Sequence, residues 1–390
     1  MANIPCRNFL HFIQKRFLSA SATVSTSPLS PSSASPSSFT VQYLINSCGL
    51  PLEVALSTSQ KLRLDESDTR KPESVLKLFK SHGFDDTHIA KLIAKKPSIL
   101  QCRLDEKLKP KLDFLVENGI TGNFLHELIV RNTVLLSRSL DCHIKPSFKF
   151  LKDFFVNSDS VLAAIKRSTW LLTIDVERVI QPNINFMVNE GVPIHILRKF
   201  VMMQPRTLMV RFDRLITTFE NVKKLGLEPT APMFLNSFRV MISMSETTQN
   251  KKVEVLKSLG WSDQDIWSTF KRNPFCLAAS EKKLRNMMDF YLNTMKLELA
   301  TIVSYPRFLM FALDTRLRPR YNVLMILVSK NLIKEDKNKM AWLMTLNEAI
   351  FHKHYILKNL DKVPDLLEIY HATSRAKKTS QEVSIALNLT

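Results

Sequence analysis

Glycine is scarce in this chain, with seven in 390 residues, each of them isolated. Neither G-x-x-x-x-G-K-[ST] nor G-x-G-x-x-G can be written from them, so nucleotide hydrolysis and dinucleotide binding lack their usual phosphate cradle. The five cysteines, Cys6, Cys48, Cys102, Cys142 and Cys276, are scattered singly. Without a C-x-x-C pair there is no zinc motif and no disulfide framework, and reduced, mostly buried thiols are expected. Long apolar runs are missing as well. "VLMILV" (323–328) is far short of the roughly 20 residues needed to span a bilayer, so no membrane association is expected. Acidic residues are absent before Glu53.

Catalytic constellations are equally hard to find. Asp85–Asp86 and Asp263–Asp265 stand just before helical stretches, where N-capping explains them better than acid–base chemistry. Ser262 with Asp265 resembles a capping box with Asp in place of Glu or Gln. His352 and His354 form an H-x-H with no third ligand nearby. The sequence reads as a binder rather than an enzyme, with no cofactor and no metal.

Basic charge is abundant. Lys and Arg number 55 against 36 Asp and Glu, a formal net charge of +19. Three of these charges, Arg7, Lys15 and Arg16, fall in the acid-free leader, and the remaining +16 still points to a polyanion. In "RNFLHFIQKRFLSAS" Phe9, Phe12, Ile13 and Phe17 share a helical face, and a Ser/Pro/Ala tract follows over 19–38. That combination is a transit-peptide signature. Residues 1–38 are read as a mitochondrial leader, with the chloroplast or dual import as the alternative, and 371–390 as a flexible tail.

Between them the chain repeats itself. From Pro97, steps of 36 residues reach Thr133, Thr169, Pro205 and Met241, and steps of 33 and 32 reach Pro274 and Pro306. The strings there are "PSIL", "TVLL", "TWLL", "PRTL", "MISM", "PFCL" and "PRFL". A second series, Pro110, Pro146, Pro182 and Thr218, keeps the same 36-residue step, and Pro319 rejoins it later. Gly83, Gly119, Gly191 and Gly260 each precede a first-series marker by 14 residues, and Gly226 precedes Met241 by 15. Three markers on one period mean an internal repeat, and this period means a solenoid. Each unit is expected to start a helix at the second-series proline and stop it at glycine. A second helix follows, ended by the first-series marker, which opens a short tight turn whose leucine plugs the core. No stretch alternates like a strand, so the fold class is all-α over 39–370.

The proline-marked units, with "KKPSIL" and "YPRFL" as the clearest copies, resemble the mitochondrial transcription termination factor (mTERF) family. Segments 39–56, 74–100 and 351–370 are similar to its land-plant branch in particular. The resemblance covers most of the chain, although the Met241 copy is degenerate and Thr133 and Thr169 replace the marker proline. It implies a curved α-solenoid whose basic concave face holds nucleic acid in organellar gene expression. The roles it implies are transcription termination or initiation and, for some members, intron splicing or ribosomal RNA handling.

Two residues before each first-series marker stand Lys95, Arg131, Arg167, Met203, Arg239, Arg272 and Ser304, of which five of seven are basic. In a solenoid this column would stack into a ladder of positive charge, although helix C-termini favour cations in any case. Lys96, Arg103, Arg206, Arg211 and Arg307 are the further candidates. Trp170, Trp261, Trp267 and Trp342 have apolar neighbours and are expected in the core. The expected partner is nucleic acid, double-stranded DNA ahead of RNA, bound by a monomer. A protein-interaction solenoid is the other alternative, disfavoured by the absence of W-x-x-L-G-x-x-Y and by the basic excess. Pentatricopeptide units share the period but lack the proline stop and short turn.

Overall fold

A computed structural model describes residues 38–371. Every regular element among the described residues is helical. The expected leader (1–38) and tail (371–390) lie, apart from Ser38 and His371, outside the described residues. The chain divides into two compact units, the first ending at Cys102 and the second beginning at Arg103.

The first unit is built from helices Ser38–Asn46, Leu52–Ser59, Arg70–Ser81 and Asp86–Lys95, closed by the 3₁₀ turn Pro97–Gln101. Leu44, Phe79, Ile89, Leu92, Ile99 and Leu100 form its core. Asp85 caps its helix by accepting from the His88 amide at 2.7 Å, as the sequence suggested.

The second unit shows the repeat in full. Its first copy runs through Leu104–Leu108, Lys109–Glu117, Gly122–Arg131 and Thr133–Ser137. The next runs through Leu140–Ile144, Lys145–Phe155, Ser158–Arg167 and Thr169–Leu172, and the third through Val176–Ile180, Gln181–Asn189, Ile194–Met203 and Pro205–Leu208. The last element of each copy is a 3₁₀ turn starting at the first-series marker. Leu136, Leu172 and Leu208, three residues on, are buried in each.

The second-series prolines do not open their helices outright. Each stands at the second position of an α-segment that a five-residue π-turn extends upstream. The Lys109 amide, just before Pro110, bonds back to the Leu104 carbonyl, five residues earlier. A proline inside a helix lacks a donor and its ring presses on the carbonyl four residues back. The wider π-turn makes room for the ring, so the helix gains a turn that the proline alone would deny it.

Gly119 ends its helix at φ +83°, where an added Cβ would be strained. One copy later Val156 adopts φ +71°, a conformation a β-branched residue takes only at a cost.

The degenerate copy departs as its sequence does. Met241 lies inside helix Phe234–Ile242, and no 3₁₀ turn forms there. Methionine supports a helix where proline would break it. The register then resumes with Glu246–Ser258, Asp263–Arg272 and the 3₁₀ turn Pro274–Ala278. The capping box at Ser262 and Asp265 is formed.

A polar seam runs through the interior of this unit. The residues after Pro110, Pro146 and Pro182 turn inward and donate to carbonyls at or just past the end of the same copy's 3₁₀ turn. Lys111 Nζ reaches Leu136 O at 2.6 Å, Ser147 Oγ reaches Ile174 O at 3.4 Å, and Asn183 Nδ2 reaches Leu208 O and Val210 O at 2.8 and 2.9 Å. Lys252 Nζ, with Lys251 rather than proline before it, does the same for Leu277 O at 2.7 Å, and Arg320 Nη1 reaches Leu346 O at 2.6 Å, at the end of the α-helix Lys337–Thr345. A 3₁₀ turn leaves its last carbonyls without intrahelical donors, and buried carbonyls must find partners. Burial pulls the Lys252 ammonium below its ordinary pKa, with the Glu281 carboxylate opposing that shift. Lys111, Ser147 and Asn183 are spaced by the same 36 residues, so the signal was present in the sequence as a polar residue recurring on a core face.

Candidate nucleic-acid interface

The basic column falls where the helices end. Lys95, Arg131, Arg167 and Arg272 are the last residues of Asp86–Lys95, Gly122–Arg131, Ser158–Arg167 and Asp263–Arg272, and Arg239 lies in the last turn of Phe234–Ile242. Met203 and Ser304 also end their helices, Ile194–Met203 and Leu299–Ser304. The partial negative charge of a helix C-terminus favours a cation at every one of these positions. Lys95 and Lys96 belong to the first unit, and the other candidates belong to the second.

The candidates differ in what already holds them. Arg131 is exposed and pairs with Glu127 of its own helix at 3.0 Å. Arg103 pairs with Glu106 at 2.9 Å and Arg211 with Asp213 at 2.8 Å, all exposed. Such pairs are worth less than about 1 kcal/mol and yield readily to a phosphate. Arg272 donates to Val303 O at 2.7 Å, binding its helix end to the next copy. Arg239 is half-buried, its guanidinium 5.5 Å from the Phe275 ring centre. Lys96 is half-buried at the C-cap of its helix. Arg167, Arg206 and Arg307 are exposed and make no ion pair among the described residues.

One bonding pattern brings the helix ends and the 3₁₀ turns together. The residue before a first-series marker reaches into the next copy's turn. Asn132 Nδ2 donates to Thr169 O at 2.9 Å and to Thr173 Oγ1 at 3.2 Å, and Ser168 Oγ donates to Met209 Sδ at 3.6 Å. Arg131 and Arg167 each stand one residue before these donors, and Arg206 lies in the turn that Ser168 approaches. Within the second unit, therefore, the helix ends and the next copy's turns share an edge.

Two of the four tryptophans contradict the core expectation. Trp261 is buried and Trp267 half-buried, whereas Trp170 is 40% exposed and Trp342 48% exposed. The apolar neighbours that suggested burial are Leu171 and Leu172, which do fill the core while Trp170 turns outward from the same short turn.

Burial pushes the Cys48 and Cys276 thiols up to about 12, which keeps them protonated and inert. His352 Nε2 lies 3.4 Å from Glu348 Oε1. No group of His, Cys, Asp or Glu able to hold a metal occurs among the described residues. No helix among them is long and apolar enough to cross a membrane.

The family model of mTERF matches residues 75–352, more than half of the chain. The chain belongs to the mTERF family. No curated protein matches it. mTERF proteins are generally nucleic-acid-binding regulators of organellar gene expression. All ten candidate residues, Lys95 through Arg307, fall inside the matched stretch, together with the 3₁₀ turns at the first-series markers and the interior seam from Lys111 to Arg320. Segments 39–56 and 353–370 lie outside it.

Proposed function

We propose that this mTERF protein binds double-stranded DNA as a monomer and regulates organellar transcription, in particular its termination, in a plant mitochondrion reached through the leader 1–38. The observation that carries the reading is the recurrence of exposed cations at equivalent positions in successive copies, with Arg167, Arg206 and Arg307 unpaired among the described residues. Repeated charge at a fixed spacing suits a polyanion whose charges also recur at a fixed spacing. The land-plant assignment is supported by the similarity of segments 39–56, 74–100 and 351–370 to that branch.

The test is a salt series on the chain from Phe39 onward, with duplex DNA and a matched single-stranded RNA. If about five phosphates are neutralised, log affinity for duplex falls with log salt at a slope near −4 to −5. Replacing Arg167, Arg206 and Arg307 together by Ala lowers that slope by about 2 to 3 and leaves folding intact. Tighter binding to the RNA replaces the transcription reading by splicing or ribosomal RNA processing. Absence of salt-sensitive binding to either returns the cations to helix capping and favours a protein partner. A reporter carrying residues 1–38 tests the mitochondrion against the chloroplast.

A further inference from the structure

Trp170 is an exposed aromatic ring on a rigid mount. It belongs to the 3₁₀ turn Thr169–Leu172, whose Leu171 and Leu172 are fully buried. The turn is fixed from outside as well, because Asn132 of the preceding copy bonds both Thr169 O and Thr173 Oγ1. The Trp170 carbonyl accepts from the Thr173 amide and hydroxyl at 2.9 and 3.1 Å. With backbone and core neighbours held, the indole projects at little conformational cost to a ligand.

Arginines recur near it along the repeat. Arg131 adjoins Asn132, Arg167 ends the helix three residues before Trp170, and Arg206 occupies the equivalent position 36 residues later. The position after the marker holds Ser98, Val134, Trp170, Arg206, Phe275 and Arg307 along the copies that keep a 3₁₀ turn. At Phe275 the aromatic is taken by Arg239 of the preceding copy. Trp170 makes no ring or cation contact among the described residues and is 40% exposed.

An exposed aromatic with arginines on its own copy and on the copies before and after it matches one chemistry closely. Each nucleobase has a π-face to stack, and each nucleotide brings a phosphate for a neighbouring guanidinium. Bases in a duplex are already stacked on one another, so such a ring takes an unpaired base. We infer that Trp170 stacks on an unpaired nucleobase of a single strand whose phosphates lie against Arg131, Arg167 and Arg206. This rests on the nucleic-acid reading above but not on its choice of duplex DNA.

The experiment uses the chain from Phe39 onward with a labelled mixed-sequence RNA of about 20 nucleotides, its DNA counterpart and the matching duplex, at fixed salt and then across a salt series. Trp170→Ala weakens binding to both single strands by about 5- to 100-fold, leaves the duplex within about 2-fold, and keeps the salt slope, since stacking releases no counterions. Trp170→Phe retains most of the affinity. Trp170→Leu keeps an apolar side chain without a π-face and loses affinity as the Ala variant does. Trp342→Ala, which removes the other exposed indole, binds as wild type. Single-strand binding by Trp170→Leu equal to wild type, with loss on replacing the three arginines, overturns the stacking role and leaves the nucleic-acid reading standing. A wild-type chain that binds none of the three probes overturns both.

Discussion

Lys111, Lys252 and Arg320 in the interior seam are cations like Arg167, Arg206 and Arg307 on the exposed edge, yet the two regions use charge in opposite ways. Inside, each cation is hidden from solvent and faces backbone carbonyls, at the end of a 3₁₀ turn for Lys111 and Lys252 and at the end of an α-helix for Arg320. Outside, each ends a helix or follows a marker proline, facing water with no ion pair among the described residues. A net charge of +19 therefore overstates what a partner meets, because part of it is spent holding copies together. The seam also tolerates exchange of donor, with Lys, Ser, Asn and Arg all serving. What is required is a donor of suitable reach, since the penalty comes from the unsatisfied carbonyl rather than from any missing charge.

The contrast can be broken first at Arg320. Its side chain is fully buried, donates to Leu346 O and Met344 O, pairs with Glu348 at 2.6 Å and lies 4.6 Å from the Phe351 ring centre. Arg320→Ala leaves Glu348 without its buried partner, leaves the helix-end carbonyls to Arg316 alone and opens a void. It should cost about 3 kcal/mol in urea unfolding, at the low end for a broken buried pair because Glu348 is partly in water. Asn183→Ala comes next. One amide group serves both Leu208 O and Val210 O, so about 2 kcal/mol should be lost, with Ser147→Ala losing less because its bond is 3.4 Å long. If either seam variant keeps its stability and instead loses nucleic-acid affinity, the division between seam and edge fails.

Glu348 supplies a smaller and pH-dependent effect. Burial tends to raise its pKa, but hydrogen bonds from Tyr370 and Arg320 and the charges of Arg320 and His352 more than offset this, leaving it below its ordinary value of 4.5. A depressed carboxylate stabilises the fold above its unfolded pKa, and that contribution is lost as pH falls through the folded value. Glu348→Gln should therefore lower the melting temperature at pH 7 by the equivalent of about 1 kcal/mol, converging on wild type as the pH falls below 4.5 and through the lower folded value. A gap that persists undiminished in acid would assign its effect to packing instead. Alanine at Arg167, Arg206 or Arg307 should shift stability least, by under about 0.5 kcal/mol each.

The punctuation of the repeat was legible because proline, glycine and the plugging leucine act locally. Leu100, Leu136, Leu172, Leu208, Leu277 and Leu309 all fall in the core as their position demands. The failed copy at Met241 was legible for the same reason, since methionine carries no stop signal. The π-turns were harder to foresee. Proline alone suggests a helix start, and only the continuous backbone through Leu104–Leu108 shows how the helix accommodates it. Trp170 was misjudged because its apolar neighbours in the sequence point inward while it points out.

By itself, then, the sequence determined the all-α class, the period and the equivalence of positions from copy to copy, since each depends on residues within a single unit. Only the tertiary structure decided which equivalent positions face solvent. Lys111 and Arg131 lie 20 residues apart in one copy, and nothing in their chemistry separates them. Lys111 is covered because its helix packs against a 3₁₀ turn 25 residues further on, whereas at the end of the other helix it is Asn132 that meets the next copy's turn and Arg131 stays exposed beside Glu127. Burial is a property of the neighbour that arrives, and that neighbour is set by how the copies stack.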